Sequence, residues 1–104
     1  MDQYTRPIPP SERRVVVTGV GIICPTGNTT SVAWNNVVGG VSGIDRITIF
    51  DPTNHDCQIA GEVKGFNPED FIQKKEIKKM DRFIQFTMAA GMEAFKDSGI
   101  EISD

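Results

Sequence analysis

Basic side chains are concentrated in one short stretch of this chain. Five of its eleven lysine and arginine residues lie between positions 74 and 82, namely Lys74, Lys75, Lys78, Lys79 and Arg82. The remainder of the chain is acidic, and the whole carries a formal charge of −3. Such runs are usually the solvated face of a helical turn, but a local cation cluster on an acidic chain also attracts acidic protein partners. The residues alone leave both interpretations open.

Nucleophilic and metal-ligating residues are sparse. Cys24 and Cys57 are too few for a disulfide scaffold and lack metal-ligand spacing, so we expect two reduced thiols. His55 is the only histidine and lies in the polar sequence TNHD, which favours a surface position. The sequence therefore predicts no catalytic residue, no metal site and no cofactor.

The glycines of Gly19-Val20-Gly21 raise the question of a dinucleotide-binding site. That fingerprint needs a third glycine three residues later, at the start of a helix, where backbone N–H groups meet phosphate. Cys24 occupies that position and Pro25 follows it, so no helix begins before Asn28. We therefore interpret the two glycines as a place where another backbone or helix packs closely.

Composition bounds the class of protein. The 104 residues suffice for one small domain, and their apolar and charged content is that of an ordinary globular chain. The net negative charge argues against general nucleic-acid binding. No apolar run approaches the roughly 20 residues that span a bilayer, and residues 1–12 contain no apolar signal segment. We expect a cytoplasmic protein with a mobile, proline-containing arm at Met1–Glu12.

The first half of the chain predicts a buried strand and a helix. The stretch from Arg14 to Ile23 is apolar on both faces, which is typical of a strand between two layers, and Pro25 and Gly27 end it in a turn. A helix follows, with Thr29, Thr30 or Ser31 as its cap and Gly39-Gly40 as its stop, and Trp34 is assigned to the core. Residues 41–56 are predicted to be a long loop.

The second half predicts a short edge strand at 58–63, with Ile59, Gly61 and Val63 facing inward. Asn67 and Pro68 resemble a helix start. A long helix is predicted from Arg82 to Ser98, capped by Asp81 and stopped by Gly99, and it is apolar around most of its surface. One two-faced strand and one short strand cannot cover such a helix, so we expect an α/β fold that is incomplete in this chain alone.

Several separated motifs carry a resemblance to a known family. They are RRVVVTGVGIICPTGN, the tryptophan at 34, GVSGI, FDP, AGEVKGFNPEDFI and KEIKKMDRFIQF, in this order. Together they resemble the N-terminal portion of β-ketoacyl-[acyl-carrier-protein] synthase II, a condensing enzyme of fatty-acid elongation with the layered α/β/α/β/α thiolase-like fold. The resemblance covers residues 13–104, which would be the N-terminal portion of the condensing-enzyme domain.

The resemblance implies a decarboxylative Claisen condensation of an acyl thioester with malonyl-carrier protein. A cysteine nucleophile and two histidines perform it in the family, and all three lie beyond the segment that matches this chain. We therefore expect the 104 residues alone to be inactive and assign no catalytic role to Cys24 or Cys57.

The resemblance also favours the docking interpretation of the cations. The family receives an acidic acyl carrier protein on basic residues just before the KMD sequence, and Lys75, Lys78 and Lys79 match those positions, with Lys74 and Arg82 beside them. It implies a homodimer for the full-length enzyme, and we expect this chain to associate with itself or with the remainder of the protein. No nucleic acid or membrane is expected as a partner. The alternatives are a small non-catalytic module that binds an acidic protein and, less favoured, a nucleotide-binding domain.

Overall fold

The computed structural model describes residues 11–103. Its elements follow one another as α1 (Thr30–Val38), β1 (Ile44–Arg46), β2 (Ile59–Gly61), a 3₁₀ turn (Pro68–Asp70), α2 (Lys74–Ile77) and α3 (Arg82–Ser98). The predicted arm Met1–Glu12 lies outside the described residues except for Ser11 and Glu12. No helix in the described range is long and apolar enough to cross a membrane.

The longest helix, α3, has the bounds that the sequence predicts. Asp81 lies at its N-cap, but the Asp81 side chain makes no capping hydrogen bond, so that detail of the prediction is wrong. Gly99 ends the helix with a φ of 69°, a left-handed conformation that glycine adopts without a steric penalty.

The backbone of residues 19–21 lies directly on α3. A Cβ atom at Gly19 would overlap the Ala94 carbonyl oxygen, and one at Gly21 would overlap that of Ala90. Between Gly19 and Gly21 the segment therefore moves along α3 by one helical turn, from Ala94 to Ala90. An extended chain covers about 6.6 Å in two residues and a helix about 6.0 Å in four, so the segment runs extended and antiparallel to α3. The predicted close approach at these glycines is confirmed.

Two acidic side chains of α3 hold this segment. The Val20 N–H donates to Asp97 Oδ2 and the Ile22 N–H donates to Glu93 Oε2, each at 3.1 Å. Glu93 Oε1 also accepts from the Thr30 N–H at 2.8 Å, which places a carboxylate at the N-terminus of α1 where the helix dipole favours it. Thr29 caps the same helix by accepting from the Val32 N–H at 3.2 Å. Glu93 therefore joins α3, α1 and the glycine segment.

The predicted strand Arg14–Ile23 is not part of a sheet in the described structure. Residues 14–23 join no ladder, and the one sheet among residues 11–103 consists of β1 and β2. Val15 is 95% exposed, which contradicts the prediction that this stretch is buried on both faces. The physical reason is that β1 and β2 pair with each other. In the described part of the chain, residues 14–23 therefore have α3 on one side and no neighbouring strand.

A tight turn and a hairpin follow the glycine segment. Cys24 and Gly27 exchange two backbone hydrogen bonds of 3.0 Å, which confirms the turn predicted at Pro25. Beyond α1, β1 and β2 pair antiparallel with Asp45 opposite Ala60. The prediction of a continuous loop at 41–56 is therefore wrong, because β1 lies within it. The predicted inward face of β2 is also wrong, since Ile59 and Gly61 are exposed and Ala60 is half-buried.

The apolar core of the described residues is small. Its buried side chains are those of Ala33, Ile72 and Ala89. Trp34 is 65% exposed, so its assignment to the core is wrong for this structure, because no described element packs over that face of α1. Phe83 on α3 is 66% exposed for the same reason. Both helices thus present apolar surface that their neighbours leave uncovered.

We predict that Gly21→Ala destabilises the chain by about 1–3 kcal/mol, because the added methyl group must push the segment off α3. Gly91→Ala is the matched control: a Cβ atom there has no neighbour within 4 Å, and alanine should stabilise the helix by about 0.5–1 kcal/mol. Urea unfolding at low protein concentration measures both changes. Equal stability of the two variants would contradict the close approach.

We also predict that the 104-residue chain associates with itself in solution. Within residues 11–103 the backbone at 14–18 joins no sheet, and the faces carrying Trp34 and Phe83 are exposed. Contact with a second copy would pair this backbone and bury these faces. Sedimentation velocity over a range of concentrations should show a rising average mass. A monomer at every concentration, with a cooperative thermal transition, would contradict this expectation.

Candidate functional site: a basic cluster between two helices

The cations predicted to form a contact surface lie in α2, in the turn that follows it and at the first residue of α3. Asn67 begins the turn by accepting from the Glu69 N–H at 3.1 Å, and Pro68 follows at the first helical position, as the sequence predicts. The helix that starts there is a single turn. α2 then places Lys74 and Lys75 in its first residues, and its axis ends before Lys78.

A buried glutamine fixes the connection between α2 and α3. The Lys79 and Met80 N–H groups donate to the carbonyls of Glu76 and Ile77 at 3.0 and 3.1 Å, which continues the turn beyond α2. The Gln85 side chain, itself buried, donates from Nε2 to the Met80 carbonyl at 3.2 Å. The backbone that carries Lys78 and Lys79 is therefore attached to the first turn of α3.

An aromatic stack anchors the arginine of the cluster. Phe66 packs parallel to Phe71 with ring centroids 5.9 Å apart and meets Phe86 of α3 edge-on at 5.0 Å. The Arg82 guanidinium lies 5.0 Å from the centroid of the Phe86 ring and donates to the Val63 carbonyl at 3.5 Å. Such a cation–π contact orients the guanidinium and contributes about 0.5–1 kcal/mol at an exposed site.

All five predicted cations are exposed and lie within nine residues of chain; we call them the basic cluster: Lys74, Lys75, Lys78, Lys79 and Arg82. Residues 74–82 carry five positive and two negative charges, a net of +3, whereas the rest of the chain carries six positive and twelve negative, a net of −6. This separation of charge creates a local positive field on an acidic chain. Such a field speeds encounter with an acidic partner more than it raises affinity.

A buried carboxylate that the sequence did not reveal supports the edge of the cluster. Glu62 accepts from the Thr48 N–H at 2.9 Å, the Thr48 hydroxyl at 2.6 Å and the Ile49 N–H at 3.3 Å. The Thr48 hydroxyl and then the Thr48 N–H hold the pKa of Glu62 below its ordinary value. This network ties the loop after β1 to the chain just before Val63, whose carbonyl receives Arg82.

The two cysteines and the histidine form no reactive group with one another. The hydrogen bond between Cys24 Sγ and Thr26 Oγ1, at 3.2 Å, holds the pKa of the Cys24 thiol below its ordinary value. Cys57 is exposed, and both cysteines are free. His55 is exposed as predicted and meets the ring of Phe50 edge-on at 5.2 Å. Within residues 11–103, no three acidic, cysteine or histidine side chains converge to hold a metal ion.

The start of α1 is unsuited to a nucleotide phosphate. In a dinucleotide-binding site the free N–H groups at the helix start receive the pyrophosphate. Here Glu93 already accepts from the Thr30 N–H, so a phosphate would meet a negative charge. The geometry therefore disfavours the nucleotide-binding alternative.

Comparison with known proteins decides the family. Residues 12–104 match the family described as β-ketoacyl synthase, N-terminal domain. The chain belongs to this family. Over 94 residues it is 49% identical to 3-oxoacyl-[acyl-carrier-protein] synthase 2 of Vibrio cholerae, and over 92 residues it is 47% identical to the synthase of the same name from Staphylococcus aureus. These alignments cover 90% and 88% of this chain but only 23% and 22% of the relatives, so the chain spans less than a quarter of their length.

A solved ketosynthase structure is similar to this chain in fold. The ishigamide ketosynthase/chain length factor superposes with a TM-score of 0.79 at 33% sequence identity, covering 88% of this chain and 23% of that one. The predicted thiolase-like α/β fold is thereby confirmed, with this chain as one part of it. The exposed apolar faces of α1 and α3 belong to a segment whose relatives are about four times longer.

We predict that Glu62→Gln lowers stability near pH 7 and has little effect in acid. Because the pKa of Glu62 is lowered in the folded state, its carboxylate stabilises the fold fully above the ordinary glutamate pKa of about 4.3, and this contribution is lost as the pH falls through the folded-state value. Thermal unfolding from neutral pH to below about pH 4 tests this. Glu69→Gln, at an exposed site, is the control. A pH-independent difference between wild type and Glu62→Gln would contradict the role of the charge.

Proposed function

We propose that this chain is the N-terminal part of a 3-oxoacyl-[acyl-carrier-protein] synthase that acts in the cytoplasm as a homodimer. The enzyme would condense an acyl thioester with malonyl-carrier protein, with loss of carbon dioxide, in fatty-acid elongation. In this proposal Met1–Glu12 is an arm and residues 13–104 are the first portion of the condensing domain. Identity of 49% and 47% to proteins named 3-oxoacyl-[acyl-carrier-protein] synthase 2 supports the assignment.

The chemistry of the reaction requires residues that this chain does not supply. A thioester transfer needs an activated nucleophile with a base in reach, and an oxyanion needs preorganised donors. Neither Cys24, bonded to Thr26, nor the exposed Cys57 has a histidine partner among the described residues. The role of the present segment is therefore to provide scaffold and a docking surface, and the 104 residues alone should not catalyse condensation.

The basic cluster is the observation that carries the docking role. Its five cations are exposed and lie within nine residues of sequence, whereas the rest of the chain has a net charge of −6. Lys75, Lys78 and Lys79 are proposed as the principal contacts of an acidic acyl carrier protein, with Lys74 and Arg82 at the margins. The same cluster also suits a non-catalytic module that binds an acidic protein, which is the second candidate function.

We predict that reversing Lys75, Lys78 and Lys79 to glutamate raises the KM for acyl-carrier-protein substrates by about tenfold. Each exposed pair contributes about 0–1 kcal/mol, so three lost attractions act together. Steady-state kinetics of the synthase that contains this chain measures the change. Turnover of a small thioester that bypasses docking should be unaltered, and it serves as the internal control for intact catalysis.

Salt provides a second readout of the same variant. Affinity of the wild-type synthase for the carrier protein should fall as ionic strength rises, and the triple variant should show a flatter dependence. If the triple variant keeps wild-type kinetics and salt dependence, the basic cluster is only a solvent-exposed surface and the docking role is contradicted. Carrier-protein binding without condensation by the whole protein would favour the second candidate function.

A further inference from the structure

The basic cluster contains its own counter-charge. Glu76 lies within α2 among the five cations, and its Oε1 is 3.7 Å from the Nζ of Lys79, three residues later. The Lys79 side chain is 72% exposed and that of Glu76 is 39% exposed, so the pair lies at the surface where a partner would approach. An anion at this place opposes the field that the lysines create.

The cations of the cluster are consequently unequal. Lys79 shares its charge with Glu76, and Arg82 is oriented by Phe86 and the Val63 carbonyl. Within residues 11–103, the ion pairs include none of Lys74, Lys75 and Lys78. An acidic partner therefore meets unshared charge at these three lysines, but at Lys79 it competes with a carboxylate already in place.

We propose that Glu76 limits the affinity of the docking surface for its acidic partner by partly neutralising Lys79 and repelling the partner's carboxylates. This inference rests on the docking role proposed above. A like charge at the exposed rim of a contact slows encounter and lowers affinity. Glu76 thus limits how readily the docking surface captures its partner.

The direct test is Glu76→Gln in the synthase that contains this chain, with binding of the acyl carrier protein measured at low salt. The variant should bind about two- to threefold more tightly, mainly through faster association and with a steeper salt dependence, because an exposed pair of this kind contributes well under 1 kcal/mol. Glu101→Gln is the matched control. It makes the same change in net charge beyond the C-terminal end of α3, a helix about 25 Å long that begins at Arg82, and should leave affinity unchanged.

A double-mutant cycle with Lys79→Met tests whether Glu76 and Lys79 offset each other at the contact. Lys79→Met alone should weaken binding by about two- to threefold, because it removes a cation and leaves the Glu76 carboxylate facing the partner. The double variant Glu76→Gln/Lys79→Met should bind with wild-type affinity, since the two opposite charges are removed together. A double variant that binds as tightly as Glu76→Gln alone would overturn the pairing mechanism.

The outcomes separate this inference from the docking proposal. If Glu76→Gln binds no more tightly than Glu101→Gln while the triple charge reversal still weakens binding, docking stands and the role of Glu76 is overturned. If the triple reversal also leaves binding unchanged, the docking proposal itself fails. Thermal unfolding of each variant confirms that the comparison is made on folded protein.

Discussion

The arrangement of this chain depends on the backbone of residues 19–21 lying directly on α3. Only a residue without a side chain permits this approach at Gly19 and Gly21, since a Cβ atom would overlap helix carbonyls at both positions. Two residues of extended chain match one turn of helix, so the contact repeats in register. The carboxylates of Glu93 and Asp97 then accept the intervening N–H groups, and Glu93 adds the first N–H of α1. The relative placement of the two helices follows from this contact.

Features encoded locally were predictable from the sequence. The bounds of α3, the turn at Pro25 and the start at Asn67 and Pro68 depend on caps, breakers and periodicity within a few residues. The close approach at Gly19 and Gly21 was also predictable, because glycine in an apolar stretch indicates a place with no room for a side chain. Features that depend on distant partners were not. Trp34 was assigned to a core because of its apolar character, but burial requires a covering element, and none of the described elements covers it.

The basic cluster was predictable from the sequence because its members lie close together along the chain. Which of its cations are paired or oriented by neighbouring side chains became clear only from the structure. The pairing of Glu76 with Lys79 follows from three-residue spacing on a helical turn, and the contact of Arg82 with Phe86 follows from four-residue spacing on α3. Given the helix bounds, the residue spacing alone indicates both of these contacts. Glu62 had no such signal, because its partners Thr48 and Ile49 come from a separate loop.

The most direct measurement of the central contact is a set of nuclear Overhauser effects between the glycine α-protons and the amide protons of α3. A Cβ atom at Gly19 would lie 2.7 Å from the Ser98 nitrogen, and one at Gly21 would lie 2.8 Å from the Ala94 nitrogen. Strong cross-peaks are expected from Gly19 to the Ser98 amide and from Gly21 to the Ala94 amide. Absence of both, while the sequential cross-peaks within α3 are present, would contradict the contact on which the fold described here depends.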